Sequence, residues 1–303
     1  MTFRRWTAGA VLVCTGLLGA CGSTEELLSS GIDIVVTTSI LGDVTSAIVG
    51  HDATVSVLMP VGTDPHEFQA SSRQVAEIRG ADLVVAVGLG LEHGLISVLE
   101  TVAEDGANVL YLGPLLDPIP LEFSETGELD PHVWLDPVRM DKAIELIVTE
   151  LDAVDASVDW GVSGDAYSAE LALAETEVEI LLGSLPGERR KLVTNHDSLR
   201  YLAARYGFEL IGVVVPGGST LGAPSSEQLA HLVDVLTSED VLVIFAETTQ
   251  PAALAEIVAD EVGEDVEVVT LYTGSLGEPG TDAGTYLGML RVNAERIANA
   301  LAG

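Results

Sequence analysis

The chain has 303 residues, about twice the ~150 usual for one domain, so two domains are expected. Hydrophobic residues make up 48% and charged residues 20%, a globular composition and not a disordered one. Asp and Glu number 47 against 13 Lys and Arg, and the resulting net charge of −34 would repel a phosphate backbone, which excludes nucleic acid as a partner.

In chain order, Arg4 and Arg5 open a segment that runs without charge from Trp6 to Gly22 and passes through Leu18-Gly19-Ala20-Cys21. A basic start, a short apolar run and small residues before a cut describe a secretory signal over residues 1–20. The run is marginal for a bilayer-spanning helix, which needs about 20 apolar residues. Leu-Gly-Ala-Cys resembles the bacterial lipobox. That resemblance implies cleavage before Cys21, diacylglycerol on its thiol, and a polar tether over residues 21–31. The mature protein would then be lipid-anchored on the extracytoplasmic face of the cell membrane. Cys14 is the only other cysteine, so the mature chain is expected to hold no disulfide and no thiolate metal site.

From residue 32 the chain alternates between strands and helices. Asp33–Ser39, Ala53–Met59, Asp82–Val87 and Asn108–Leu112 read as strands, with helices over Leu41–Val49 and Ser71–Arg79. Leu115–Asp130 is rich in Pro and acids and reads as a loop. Asp136–Ala153 then reads as a helix, with Pro137 suited to its first turn. Lys191–Asn195, Glu209–Val215, Val241–Ala246 and Val266–Leu271 repeat the scheme. Between the halves, Leu171, Ala174, Val178 and Leu181 recur at helical spacing within Asp159–Leu182. Near-continuous apolar strands between helices indicate parallel sheets covered on both faces. The expected fold is α/β: two doubly wound parallel-sheet lobes, residues 32–155 and 189–303, joined by one long rigid helix within 156–188.

In open parallel sheets, ligands bind at the carboxyl ends of the strands. Three of the six histidines fall there or at the end of the long loop. His66 follows the second strand in Gly62-Thr-Asp-Pro-His-Glu-Phe68. His132 ends the loop in Asp130-Pro-His-Val-Trp-Leu-Asp-Pro137, and His196 closes the strand in Val193-Thr-Asn-His-Asp197. The first two share Asp-Pro-His, in which proline holds the preceding Asp extended and stiffens the approach to the ligand. No local metal motif exists, because the three lie 66 and 64 residues apart. Their joint placement at one edge is the signal, and imidazoles with an oxygen donor suit zinc or manganese. The net negative field would attract such cations, or serve only as a solubilising surface. His51, His93 and His231 fit ordinary turn or helix positions.

These residues also carry a family resemblance. The segments GTDPHEFQAS, DPHVWLDP, VTNHDSLRYLAARYGF, VIFAETTQ and LYTGSLGEPG…TYLGMLRVN resemble the metal-binding lipoproteins of bacterial ABC importers, the zinc/manganese cluster A-I, over roughly residues 32–301. The resemblance implies two α/β lobes joined by a rigid helix, a metal between them, delivery of Zn²⁺ or Mn²⁺ to an ABC permease and its ATPase, and no catalysis. It maps His66, His132 and His196 onto the first three ligands. A histidine at 196, where manganese-type relatives often place Glu, leans toward zinc. The usual fourth ligand, an Asp, is replaced by Gly274 in Tyr272-Thr-Gly-Ser-Leu276. Glu247 is the nearest candidate for that place, or else it orients a histidine through its other ring nitrogen. Water and Asp282 are the other candidates. Many zinc members carry a histidine-rich loop, whereas residues 113–131 hold Asp117, Glu122, Glu125, Glu128 and Asp130 instead.

The leading expectation is a monomeric solute-binding lipoprotein with Zn²⁺ favoured over Mn²⁺ as transported ligand. The alternatives are a metal-dependent adhesin or scaffold, and a zinc metallohydrolase using Glu67 or Glu247 as base. No HExxH helix or nucleophile motif supports the last.

Overall fold

Runs of Val, Ile and Leu long enough to fill both faces of a strand require a sheet covered on both sides. The computed structural model, which describes residues 31–121, 127–263 and 265–302, contains two such sheets. Residues 1–20, Cys21, the expected tether up to residue 30, and residues 122–126 of the acidic loop lie outside the described residues.

In the first sheet β1 (Ile32–Val36), β2 (Ala53–Val57), β3 (Leu83–Ala86) and β4 (Val109–Tyr111) run parallel in the order β2-β1-β3-β4. The second repeats the pattern with β5 (Lys191–His196), β6 (Glu209–Val215), β7 (Val243–Glu247) and β8 (Glu267–Leu271), in the order β6-β5-β7-β8. The chain therefore reverses its direction of progress across the sheet between β1 and β3, and again between β5 and β7. A crevice opens at such a switch point.

The helices of the first lobe are α1 (Ser39–Val49), α2 (Ser72–Gly80), α3 (Ile96–Glu104) and α4 (Pro137–Val154). Ser71 and Gln74 form a reciprocal capping box at the start of α2. Asp136 caps α4 by accepting from the Val138 N–H at 3.0 Å, with Pro137 in the first turn as expected. Helix α3 was not expected from the sequence. Only Leu99 and Val102 of it are fully buried, too few to print a periodic stripe.

The long connecting helix α5 (Trp160–Gly183) buries Trp160, Gly164, Tyr167, Leu171, Ala174, Val178 and Leu182 along one face. Leu182, one residue beyond the expected Leu181, completes the stripe. Helices α4 and α5 approach closely at Gly164, where an added Cβ would lie 2.7 Å from a Val148 methyl. The second lobe adds α6 (Arg200–Tyr206), α7 (Ser226–Ser238), α8 (Ala253–Val262) and α9 (Tyr286–Ala302).

One continuous core runs from Ile34, Val36 and Leu83 through Trp134, Trp160 and Leu171 to Phe245, Tyr286 and Ile297. Helices α4, α5 and α9 thus seal the inner faces of both sheets together, and the described residues pack as one unit. Smaller clusters lie under α2 and α3 on one side and under α7 and α8 on the other. Among the described residues no helix is long and apolar enough to cross a membrane.

Candidate metal centre

Each histidine of the centre is placed by a different local device. His66 lies in the segment after β2, where Leu58 and Met59 still bond to the Val36 and Thr37 carbonyls before the chain turns at Pro60. Asp64 Oδ1 accepts the His66 backbone N–H at 2.8 Å, a turn that proline stiffens from within. The same turn recurs at Asp130-Pro131-His132, where Asp130 Oδ1 accepts the His132 N–H at 2.9 Å. That oxygen also lies 2.8 Å from His132 Nδ1, which keeps the ring's other nitrogen free to bind. His196 is the last residue of β5, at the second sheet's switch point.

The three rings meet in the cleft. His132 Nε2 lies 3.4 Å from His66 Nε2 and 3.1 Å from His196 Nε2. All three residues are at most 2% exposed. A tetrahedral Zn²⁺ with Zn–N bonds of about 2.0–2.1 Å holds its nitrogens about 3.3 Å apart, so this spacing fits. Trp134 stands edge-on to His132, with ring centroids 5.3 Å apart. Its Nε1 donates to the Thr273 carbonyl at 2.7 Å and its own carbonyl accepts from Tyr286 Oη at 2.7 Å, so the ring is fixed by the second lobe.

Glu247 ends β7, the neighbour of β5 across the switch point. The pairing of Thr194 with Phe245 sets His196 and Glu247 abreast two residues further along. Glu247 Oε1 lies 2.5 Å from His196 Nδ1 and accepts from Ser198 Oγ at 3.0 Å. Among the described residues the converging set is the three imidazoles, and Glu247 sits behind His196 on the nitrogen facing away from the others.

Burial sets the protonation of the centre. It lowers the pKa of His66 and His132 well below the ordinary imidazole value, and the neighbouring rings lower them further. His196 differs: burial alone would lower it, but the Glu247 carboxylate leaves it raised. Burial raises Glu247 in turn, and His196 outweighs this and holds it below its usual range. Asp130, stripped of water, is pushed up to about 7, although the His132 N–H opposes the shift.

Residues 34–300 match the family model described as zinc-uptake complex component A, periplasmic. The chain belongs to this family. Its members are metal-binding substrate-binding proteins of ABC transporters, not enzymes. Among curated relatives, the chain is 29% identical over 297 residues to the manganese-binding lipoprotein MntA of Halalkalibacterium halodurans, covering 96% of each chain. It is 30% identical over 301 residues to the zinc-binding protein TroA of Treponema pallidum, covering 97% of this chain and 96% of the relative. The solved structure of the treponemal periplasmic zinc-binding protein superposes with a TM-score of 0.81 at 28% identity, covering 89% of this chain and 99% of that one.

The remaining residues singled out in the sequence lie apart from the three-histidine cluster. His51, His93, His231, Glu67 and Asp282 are exposed, and none joins the cluster. Gly274 does border the centre: a Cβ there would lie 3.2 Å from Pro65 Cδ, next to His66, and 3.3 Å from Thr249 Oγ1. Sequence reasoning missed Asp64 and Asp130 as hydrogen-bond anchors, although the repeated Asp-Pro-His was the signal for both. It also missed Glu92, buried at the carboxyl edge of the first sheet. Glu92 accepts from Thr37 Oγ1 at 2.7 Å and from the Val87 and Gly88 N–H groups at 2.8 and 2.9 Å, while burial raises its pKa.

Proposed function

We propose that the protein captures one Zn²⁺, in preference to Mn²⁺, on His66, His132 and His196 and delivers it to an ABC permease powered by its ATPase. The observation that carries this reading is the convergence of three buried imidazoles with no carboxylate among them. Zinc accepts three histidines and a water in tetrahedral geometry. Manganese favours six mainly oxygen donors, and Gly274 offers no side-chain oxygen. Two lobes over residues 32–155 and 189–303, linked through 156–188, would hold the ion between them, and the core shared along α5 favours small loop movements over wide lobe closure. The protein would act as a monomer, held by lipid on Cys21 at the extracytoplasmic face of the membrane once residues 1–20 are removed. Relatives named as lipoproteins support the anchor.

Competition titration against a chelator of known affinity tests the metal. The expected result is one Zn²⁺ per chain, bound more tightly than Mn²⁺, and saturable binding of neither would refute the proposal. Mass spectrometry of the membrane fraction tests the anchor, which an unmodified peptide retaining residues 1–20 would contradict.

A further inference from the structure

The two Asp-Pro-His turns are alike in backbone and differ in what the rest of each carboxylate does. Asp130 Oδ1 also contacts the ring of its own histidine, and Oδ2 has no hydrogen-bond partner. Asp64 leaves the ring alone: His66 Nδ1 is buried without a hydrogen-bond partner. Its second oxygen instead crosses the cleft. Asp64 Oδ2 accepts from Thr220 Oγ1 at 2.6 Å and from Gln250 Nε2, residues 156 and 186 positions further along the chain.

These partners belong to the two loops that leave the switch-point edge of the second sheet. Thr220 lies in the Pro216–Ser225 loop after β6, which bends at Gly217 with φ +97° and packs on the first lobe at Gly218. There an added Cβ would lie 2.6 Å from Leu121. Gln250 follows β7 three residues after Glu247, which holds His196. A single carboxylate, 7% exposed, therefore fixes the backbone of one ligand and ties it to the loop over the cleft and to the loop that follows Glu247, the orienter of another. Since no hydrogen bond restrains His66 Nδ1, the side of the ring away from the cluster, its backbone anchor is what positions it.

We propose that Asp64 is a positioning residue that clasps the His66 turn to the Thr220 and Gln250 loops, and that opening this clasp sets the rate at which the metal leaves. The assignment rests on the metal-capture reading above. The ion is enclosed on the first lobe by His66 and His132, on the second by His196. It cannot be handed on until the two sides part, and the clasp is a polar link, bonded directly to the His66 N–H, that resists parting. Differences among closely related complexes fall mostly in dissociation rates.

The test uses the full-length protein, with Thr220→Val, Gln250→Leu, the double variant and Thr220→Ser. Release of Zn²⁺ to excess EDTA is followed by stopped-flow through the fluorescence of Trp134, which contacts His132. The double variant is expected to release Zn²⁺ at least about tenfold faster, the factor matching the loss of one charge-assisted hydrogen bond. Thr220→Ser, which restores the hydroxyl, should release at the wild-type rate and keep the wild-type metal-free melting temperature, while the Val and Leu variants should still unfold in one cooperative transition at a somewhat lower temperature. Release from the double variant at the wild-type rate would overturn the clasp, as would acceleration by Thr220→Ser equal to that by Thr220→Val. A second readout needs no metal. The His66 amide should exchange hydrogen faster in the metal-free double variant, and unchanged exchange would also overturn the proposal. A wild type that binds no Zn²⁺ would refute the capture reading, while the exchange comparison would still decide the clasp.

Discussion

Replacing Glu247 separates a ligand from an orienting group. Its Oε1 lies 2.5 Å from His196 Nδ1, and Ser198 Oγ donates to the same oxygen at 3.0 Å, all within a site where both residues are 2% exposed. Loss of such a supporting partner typically costs 10- to 100-fold in metal affinity, or about 1.4–2.8 kcal/mol. Glu247→Ala should fall in that range, because it frees the His196 ring and leaves the Ser198 hydroxyl without its acceptor. Glu247→Gln keeps the shape and an acceptor oxygen, so it should lose about tenfold at most. His132→Ala removes a ligand nitrogen outright and should exceed both. Zn²⁺ competition titrations at pH 7.5 on the four proteins give the ranking. A Glu247→Ala loss as large as that of His132→Ala would mean that Glu247 binds the metal directly, and no loss at all would mean that it does not hold His196 in place.

Three further outcomes follow from the same geometry. His196 has a raised pKa and His66 and His132 lowered ones, so below the His196 value Zn²⁺ must displace one proton, and affinity should fall by up to about tenfold per pH unit. Glu247→Gln, lacking the charge that raises His196, should move this fall to lower pH; titrations from pH 7.5 to 5 that stay flat would contradict it. Gly274→Asp places a carboxylate beside Pro65 and His66, with Pro65 and Thr249 giving by a few tenths of an ångström, and should narrow the zinc-to-manganese affinity ratio by strengthening Mn²⁺. An unchanged ratio would show that position 274 does not face the metal. Glu92 has a pKa raised by burial, so its ionisation costs stability as pH climbs from the unfolded value of about 4.3 through the folded one. Urea unfolding of metal-free wild type and Glu92→Gln should therefore diverge in favour of Gln between pH 4.5 and 7.5, and a difference constant with pH would refute this.

Much of the molecule was legible because its signals are local. The Val-rich run at Glu209–Val215 and the apolar, β-branched Leu192-Val193-Thr194 within Lys191–Asn195 predicted β6 and β5 almost to the residue, and the stripe Leu171, Ala174 and Val178 predicted α5. Three histidines at strand ends or the end of one loop were enough to draw the cleft once parallel sheets were inferred, since strand polarity alone places all carboxyl ends on one edge. What could not be read depends on register and on distance along the chain. Whether Glu247 faces the metal or the back of His196 turns on the pairing of Thr194 with Phe245. The reach of Asp64 to Thr220 and Gln250 spans both lobes and leaves no mark in the spacing of any motif. Gly274 was visible only as a departure from the family pattern, and its closeness to Pro65 comes from the folded chain.

X-ray absorption at the zinc edge of the fully loaded, full-length protein, read beside the same measurement on His132→Ala, tests the three-imidazole centre most directly. The expected spectrum has one Zn²⁺ per chain in four-coordinate geometry, with three imidazole nitrogens at about 2.0–2.1 Å and one light-atom donor, and His132→Ala should lose one imidazole. A spectrum with fewer than three imidazoles in the wild type, or one left unchanged by His132→Ala, would contradict a metal centre built on His66, His132 and His196.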